Sequence, residues 1–263
     1  MGSALLGGWL ERGLNASDIF VIEPFEDTAK AVSERYDVAT APDVSDLSED
    51  FSPDAVVLAV KPQSMDEAAP AIADFTGDGK NQGAVILSIA AGKTIAYFES
   101  VLGPEAAIVR SMPNTPAAVG RGITVACANA AVNDAQKTLC DGLLKAVGDV
   151  AWIDDEGLMD AVTAVSGSGP AYVFLLAECM ATAGIEAGLP ADLSHQLARV
   201  TVAGAGELLH LSDETAAELR ANVSSPGGTT VEALGVLMGE DGWQPIITKA
   251  IAAAAKRSKE LAG

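Results

Sequence analysis

Ala55-Val56-Val57-Leu58-Ala59-Val60 is an unbroken apolar run closed by Lys61-Pro62. Because every position is apolar, rather than every second one, the run predicts a strand covered on both faces, as in a parallel sheet. Ala84-Val85-Ile86-Leu87-Ser88-Ile89 is a second run of this kind. Shorter strand-like runs lie at Ile19–Ile22, Ala107–Arg110, Gly122–Ala128 and Val150–Ile153. Between them the spacing predicts helices at Ser3–Arg12, Asp27–Tyr36, Ser64–Phe75, Thr94–Leu102 and Asp134–Ala146. The first of these helices sets Leu5, Leu6 and Trp9 on one side and stops at Gly13. Strands alternating with helices predict an α/β fold with a doubly wound parallel sheet. In such sheets ligands bind beyond the carboxyl ends of the strands.

The pattern changes after Asp155. No strand-like run remains, and helices are predicted at Gly157–Val165, Pro170–Gly188, Ala191–Leu211, Asp213–Ala221, Thr229–Met238 and Gln244–Leu261. The expected domains are 1–155 and an all-α part, 156–263. That helical part is rich in Ala and Gly, and a second copy completing its core is expected.

Composition narrows the function. Lys and Arg number 16 against 36 Asp and Glu, a net charge of −20 over 263 residues. Nucleic-acid binding needs the opposite sign, and so does docking on an anionic membrane. The apolar runs read as too short to span a bilayer. Three cysteines without CxxC spacing and two histidines make neither a zinc site nor a disulfide framework. No metal is expected, and a reducing, cytoplasmic setting is. Met1-Gly2-Ser3 opens the chain without a basic leader.

Three sets of loops can carry chemistry. Lys61 follows the first apolar strand, where it either points into the binding crevice or is a solvated lysine. Met112-Pro113-Asn114-Thr115-Pro116 is stiffened by two prolines, and either fixes Asn114 against a flat ring or is a plain rigid turn. Ser166-Gly167-Ser168-Gly169-Pro170 and Ser224-Ser225-Pro226-Gly227-Gly228-Thr229-Thr230 each precede a helix. Such turns present backbone N–H groups to an anion, or they simply cap the helix, as Thr229 with Glu232 would in a capping box.

Val60-Lys61-Pro62, Met112-Pro113-Asn114-Thr115-Pro116, Ser166-Gly167-Ser168-Gly169-Pro170-Ala171-Tyr172 and Ser225-Pro226-Gly227-Gly228-Thr229-Thr230 occur together, in this order. In these motifs, over essentially its whole length, the sequence resembles the pyrroline-5-carboxylate reductase family. The resemblance implies the last step of proline biosynthesis, in which NAD(P)H reduces L-1-pyrroline-5-carboxylate to L-proline. It implies a Rossmann-like dinucleotide-binding domain over 1–155 and a helical dimerisation and substrate domain over 156–263. It also implies a homodimer that assembles further into a decamer.

The resemblance assigns residues as well. Thr230 would hydrogen-bond the ring nitrogen. Ser225, Gly227, Gly228, Thr229 and Thr230 would hold the substrate, with Ser166 and Ser168 lining the pocket. Met112, Pro113 and Asn114 would sit by the nicotinamide, and Ala59, Val60, Lys61, Pro62 and Ala90 on the ribose and phosphate side. Gly2 and Ser3 match the tail of the family's G-x-G-x-M-G phosphate turn, so the first strand of the sheet and the first two glycines are expected to be missing from the sequence as it stands. An upstream start accounts for this; a truncation with damaged cofactor binding is the alternative.

Glu23-Pro24-Phe25-Glu26-Asp27 follows the Ile19–Ile22 strand, and no Arg or Lys occurs before Lys30. A carboxylate at Glu23 accepts from a ribose 2′-OH and repels a 2′-phosphate, so the sequence leans toward NADH. The other reading has Glu23 facing solvent. Two rivals remain. A β-hydroxyacid dehydrogenase needs a catalytic lysine in the helical domain, and the lysines after Lys145 are Lys249, Lys256 and Lys259, near the end of the chain. A non-catalytic nucleotide sensor would have no need of the substrate-side motifs. His195 and His210 fall in helical stretches and read as structural.

Overall fold

The computed structural model describes residues 1–48, 50–76 and 83–262. They form two compact units, Met1–Gly167 with the segment from Ala255 onward, and Ser168–Ala254. The first unit opens with helix α1 (Gly2–Glu11), strand β1 (Phe20–Ile22), helix α2 (Glu26–Tyr36) and strand β2 (Ala39–Ala41). β1 and β2 pair in parallel as a two-stranded sheet. There follow β3 (Ala55–Leu58), α3 (Met65–Ala71), β4 (Val85–Ser88), α4 (Ile95–Leu102), β5 (Ile108–Met112), β6 (Gly122–Ala128), α5 (Asp134–Lys145) and β7 (Gly148–Trp152). These five strands form a second sheet in the order β3-β4-β5-β6-β7.

Side-chain alternation explains why helices cover both faces of that sheet. Ile86, Ile108 and Cys127 point to one face and pack with Met65, Phe98 and Met159. Val85, Leu87, Val109 and Ala126 point to the other and pack with Cys140 and Leu144 of α5. Strands clothed on both sides have no solvated face to show, which is why β4 is buried along its length and apolar but for Ser88.

In this first unit the elements depart from expectation at four points. The larger sheet is not wholly parallel, because β6 runs antiparallel to β5, with Arg110 opposite Cys127. β3 is not covered like β4: among the described residues it bonds to β4 alone, and its first three residues are half-exposed. β2 was not anticipated. The helix expected at 64–75 is α-helical only over Met65–Ala71, where Pro70 offers no N–H to continue the ladder, and a 3₁₀ turn follows at Ala73–Phe75.

Beyond β7 the chain is helical: α6 (Met159–Val162), a π-helical turn (Thr163–Gly167), α7 (Gly169–Glu186), α8 (Ala191–Leu211), α9 (Ala216–Asn222), α10 (Thr229–Leu237) and α11 (Trp243–Ala262). In the second unit α7 and α8 are joined where Ser194 Oγ donates to the Ala181 carbonyl at 2.7 Å. The end of α11 belongs to the first unit, where Ser258 Oγ donates to Asp160 Oδ1 at 2.7 Å. The stretch Glu156–Glu186 is 31 residues of helix, long and apolar enough to cross a bilayer by length and composition. This corrects the expectation that the apolar runs are too short.

Asn129 locks the antiparallel join. Its Oδ1 accepts from the Ile108 N–H at 3.1 Å, and its Nδ2 donates to the Ala106 carbonyl at 2.9 Å and to Glu99 Oε1 at 3.1 Å. Asn129→Ala leaves these part-buried groups unmatched and is expected to cost about 1–3 kcal/mol. A urea melt unchanged from the unaltered chain would contradict this.

Candidate active site

β3, β4 and β5 are mutually parallel, so the loops that follow them leave from one edge of the sheet. After β3 come Ala59, Val60 and Lys61, all exposed, then the half-buried Pro62. Ala90, after β4, is buried, and its N–H donates to Ser88 Oγ at 3.3 Å. After β5, Pro113 is buried and Asn114 half-buried.

The N-terminus of α1 lies against this edge. A Cβ built on Gly2 would stand 3.2 Å from that of Ala59. No side chain caps α1. The N–H groups at Gly2 and Ser3 are in the first turn, where a helix has no internal acceptors. A small residue at the close approach and uncapped donors beside a strand-end loop fit a dinucleotide diphosphate. Glu23, half-buried at the carboxyl end of β1, has its Oε1 bonded to the Phe25 N–H at 3.1 Å.

Asn114 is held from two sides. Its Oδ1 accepts from the Ile123 N–H at 3.0 Å, and its Nδ2 donates to Ser166 Oγ at 3.4 Å. The structure thus joins two motifs 52 residues apart in the chain. Met112 reaches the same segment, since a Cβ on Gly167 would overlap its terminal methyl.

In the second unit Ser225, Gly227, Gly228, Thr229 and Thr230 form one turn. The Gly228 N–H donates to the Ser225 carbonyl at 2.9 Å, and Gly227 has φ +73°, a left-handed conformation that glycine adopts readily. The expected Thr229–Glu232 capping box is absent. The cap residue is Gly228, with no side-chain cap bond, and Thr229 is already helical. Ser168 likewise precedes α7 without a side-chain cap. Thr230 is half-buried in the first turn of α10.

Sequence reasoning missed two clusters. Arg110 is 6% exposed in β5, and its Nη1 is 2.6 Å from Glu156 Oε1, which also accepts the Ile95 N–H at 2.9 Å. The signal was available: an arginine inside an apolar strand needs a carboxylate. Near the loop after β4, Lys93 Nζ and the Tyr97 hydroxyl both bond Asp66 Oδ1 at 2.7 Å, and Lys93 lies over the Tyr97 ring. Burial first, then Asp66, pushes the Tyr97 phenol up to about 12, while the Lys93 hydrogen bond holds Asp66 low. Among the described residues no group of three or more His, Cys, Asp or Glu is placed to hold a metal.

A strand edge that fits a dinucleotide, joined in sequence to a helical part whose turns offer backbone donors, defines an NAD(P)H-dependent oxidoreductase. Residues 156–261 match the family described as pyrroline-5-carboxylate reductase dimerisation, and residues 1–92 match NADP oxidoreductase, coenzyme F420-dependent. The pyrroline-5-carboxylate reductase of Pseudomonas aeruginosa is 38% identical over 262 residues, which covers 100% of this chain and 93% of the relative. That of Synechocystis is also 38% identical, covering 99% and 94%. Among solved structures, the Coxiella burnetii pyrroline-5-carboxylate reductase superposes with TM-score 0.92 at 34% identity, covering 100% of this chain and 95% of the other. The Plasmodium falciparum enzyme, solved with NADP bound, gives TM-score 0.80 at 30% identity, covering 100% and 95%. The chain belongs to the pyrroline-5-carboxylate reductase family.

The two thiols of the first unit, Cys127 and Cys140, are buried and are not activated as nucleophiles. Burial pushes the Cys140 thiol up to about 12, and burial together with the charge of Glu156 raises Cys127. Both sulfurs are buried and both thiols are pushed up, so iodoacetamide is expected to leave both unlabelled in the folded protein and to label both after unfolding. Rapid labelling of either in the folded state, read by mass spectrometry, would contradict the assignment.

Proposed function

We propose that this chain reduces L-1-pyrroline-5-carboxylate to L-proline, with the residue roles below. The observation that carries the reading is the turn before α10, where Gly228 rather than a hydroxyl residue caps the helix. The Thr229 and Thr230 N–H groups are therefore not occupied by a side-chain cap and suit the substrate carboxylate. The Thr230 hydroxyl takes the ring nitrogen, while Ser166, Ser168 and Ser225 add hydroxyls toward the substrate, and Gly227 and Gly228 keep the turn open. On the dinucleotide side, Gly2 and Ser3 hold the diphosphate. Ala59, Val60, Lys61, Pro62 and Ala90 follow the ribose and phosphates, and Met112, Pro113 and Asn114 place the nicotinamide ring.

The reduced nicotinamide supplies the hydride. As the imine carbon gains it, the C=N π pair moves to nitrogen, and the protonated iminium becomes a neutral amine. A protonated imine is already a strong acceptor, so the chain's task is chiefly orientation, which can contribute about 7–11 kcal/mol. That suits a set of site residues without His, Cys or paired carboxylates.

The reading extends to boundaries and assembly. The dinucleotide-binding domain is 1–155 and the dimerisation and substrate domain is 156–263. The homodimer assembles into a decamer, in the cytoplasm. Glu23 favours NADH, because its carboxylate accepts from a 2′-OH and repels a 2′-phosphate.

The decisive assay is oxidation of reduced nicotinamide at 340 nm with L-pyrroline-5-carboxylate. Thr230→Ala is expected to lower kcat/KM by about 10- to 100-fold, the scale of one or two hydrogen bonds to a polar transition state. An unchanged value in a folded variant removes Thr230 from the mechanism. In the unaltered chain kcat/KM is expected to favour NADH over NADPH, with Glu23→Ala narrowing the ratio. A clear NADPH preference sinks the assignment of Glu23.

A further inference from the structure

β5 and the segment that follows β7 are tied at three successive levels. Arg110 meets Glu156 at 2.6 Å, the Met112 methyl seats on Gly167, and Asn114 bonds Ser166 at 3.4 Å. Arg110, Met112 and Asn114 alternate along the chain, and Asn114 keeps an extended backbone (φ −128°, ψ 166°). Alternate residues of an extended chain face the same way, so these three contacts form one seam. On the other side of the seam the chain is helical from Glu156 into the π-helical turn Thr163–Gly167. A π turn widens a helix by one residue and is common where function fixes a side chain. Here it delivers Ser166 and Gly167 to the seam.

The Arg110–Glu156 bond is the buried end of this seam. The Arg110 side chain is 8% exposed and that of Glu156 27%. Glu156 Oε1 also accepts the first N–H of α4, so one oxygen holds β5, α4 and the start of the 156–167 segment together. Arg110 lies two residues before Met112 and four before Asn114. Slippage at the ion pair therefore carries directly to the contacts of both.

We propose that Arg110 and Glu156 are positioning residues for the reduction: their ion pair sets the register of β5 against the 156–167 segment, and so the placement of Asn114 relative to Ser166. The catalytic part rests on the proposed function, which assigns Asn114 to the nicotinamide and Ser166 to the substrate. Misplacement by about 1 Å can cost on the order of 100-fold in rate, so a pair that touches neither reactant still governs kcat.

Amide hydrogen exchange on the full chain, without substrate, reads the register directly. In Glu156→Ala, amides within 112–116 and 163–167 are expected to exchange at least about 10-fold faster together, with 20–41 unchanged, as in a local opening. Glu156→Gln, which keeps a hydrogen-bond acceptor without the charge, is expected to give a smaller acceleration at the same places. Acceleration confined to the start of α4 would reduce Glu156 to a helix cap and overturn the proposal. Uniform acceleration over the whole sheet would overturn it too, as a general loss of stability. If Glu156→Ala does not fold, Glu156→Gln and Arg110→Lys carry the measurement.

The kinetic arm uses kcat per folded site. About a 10-fold or larger fall, with KM for the imine within about twofold and partial recovery in Glu156→Gln, is the expected signature of lost orientation. A kcat that does not move overturns the catalytic role. Should the unaltered chain reduce no pyrroline carboxylate, the proposed function falls, and the exchange experiment still decides the register.

Discussion

A guanidinium buried in the middle of a sheet constrains everything around it. Arg110 sits in β5 between Val109 and Ser111, both buried. Without a carboxylate such a charge is strongly destabilising. Its partner, Glu156, is 46 residues further on, past β6, α5 and β7. The chain must therefore complete the far half of the sheet and return to β5 before the charge is matched. That return brings α6 and the π turn under the end of β5, where Met112 and Asn114 emerge. Folding of the sheet and assembly of this part of the site are thus coupled through one bond.

What the sequence disclosed follows from the same physics. Strands buried on both faces have few polar positions, so Ala84–Ile89, polar only at Ser88, stood out as a run; alternation with helices pointed to the α/β class. The antiparallel β6 was readable too, although it was missed. Only residues 113–121 separate β5 from β6, while a parallel crossover needs roughly a dozen residues or more. β2 was not readable, because Ala39-Thr40-Ala41 is short and carries two residues with little strand preference. The apolar reading of Ala55–Val60 was sound as a strand, yet residue type alone does not reveal how many neighbours it bonds.

Site residues divide along a similar line. Motif residues fixed by local backbone needs, such as Pro113 after β5 or Gly227 with its positive φ, were visible as Pro and Gly signals. The distant contacts themselves were not. Nothing local marks Glu156 as the partner of Arg110, or Gly167 as the floor beneath Met112. The capping box at Thr229 failed for a geometric reason: the helix begins one residue earlier than a Thr229 cap would require. That single-residue offset changes the turn's meaning, since a capped helix start has spent its donors and an uncapped one has not.

The helices of the second unit show how one composition allows two destinations. Phe174 and Leu175 of α7, Val200 and Leu208 of α8, and Val236 of α10 are exposed in the single chain. The stretch Glu156–Glu186 is apolar enough to suit lipid as well as protein. Charge and sequence matching separate these. A net −20 opposes an anionic bilayer, and residues 156–261 match a dimerisation family. Protein surface is thus the fitting cover for these side chains. The same −20 bears on the ligands, since both the carboxylate substrate and the dinucleotide are anions. The long-range field of the chain repels them. At physiological salt that field decays over about 8 Å, so binding must fall to short-range donors, and the proposed ones are the N-termini of α1 and α10, and Lys61. An acidic protein that handles anions has to concentrate its attraction in backbone N–H groups, and the uncapped starts of α1 and α10 are the donors the proposed function uses for this.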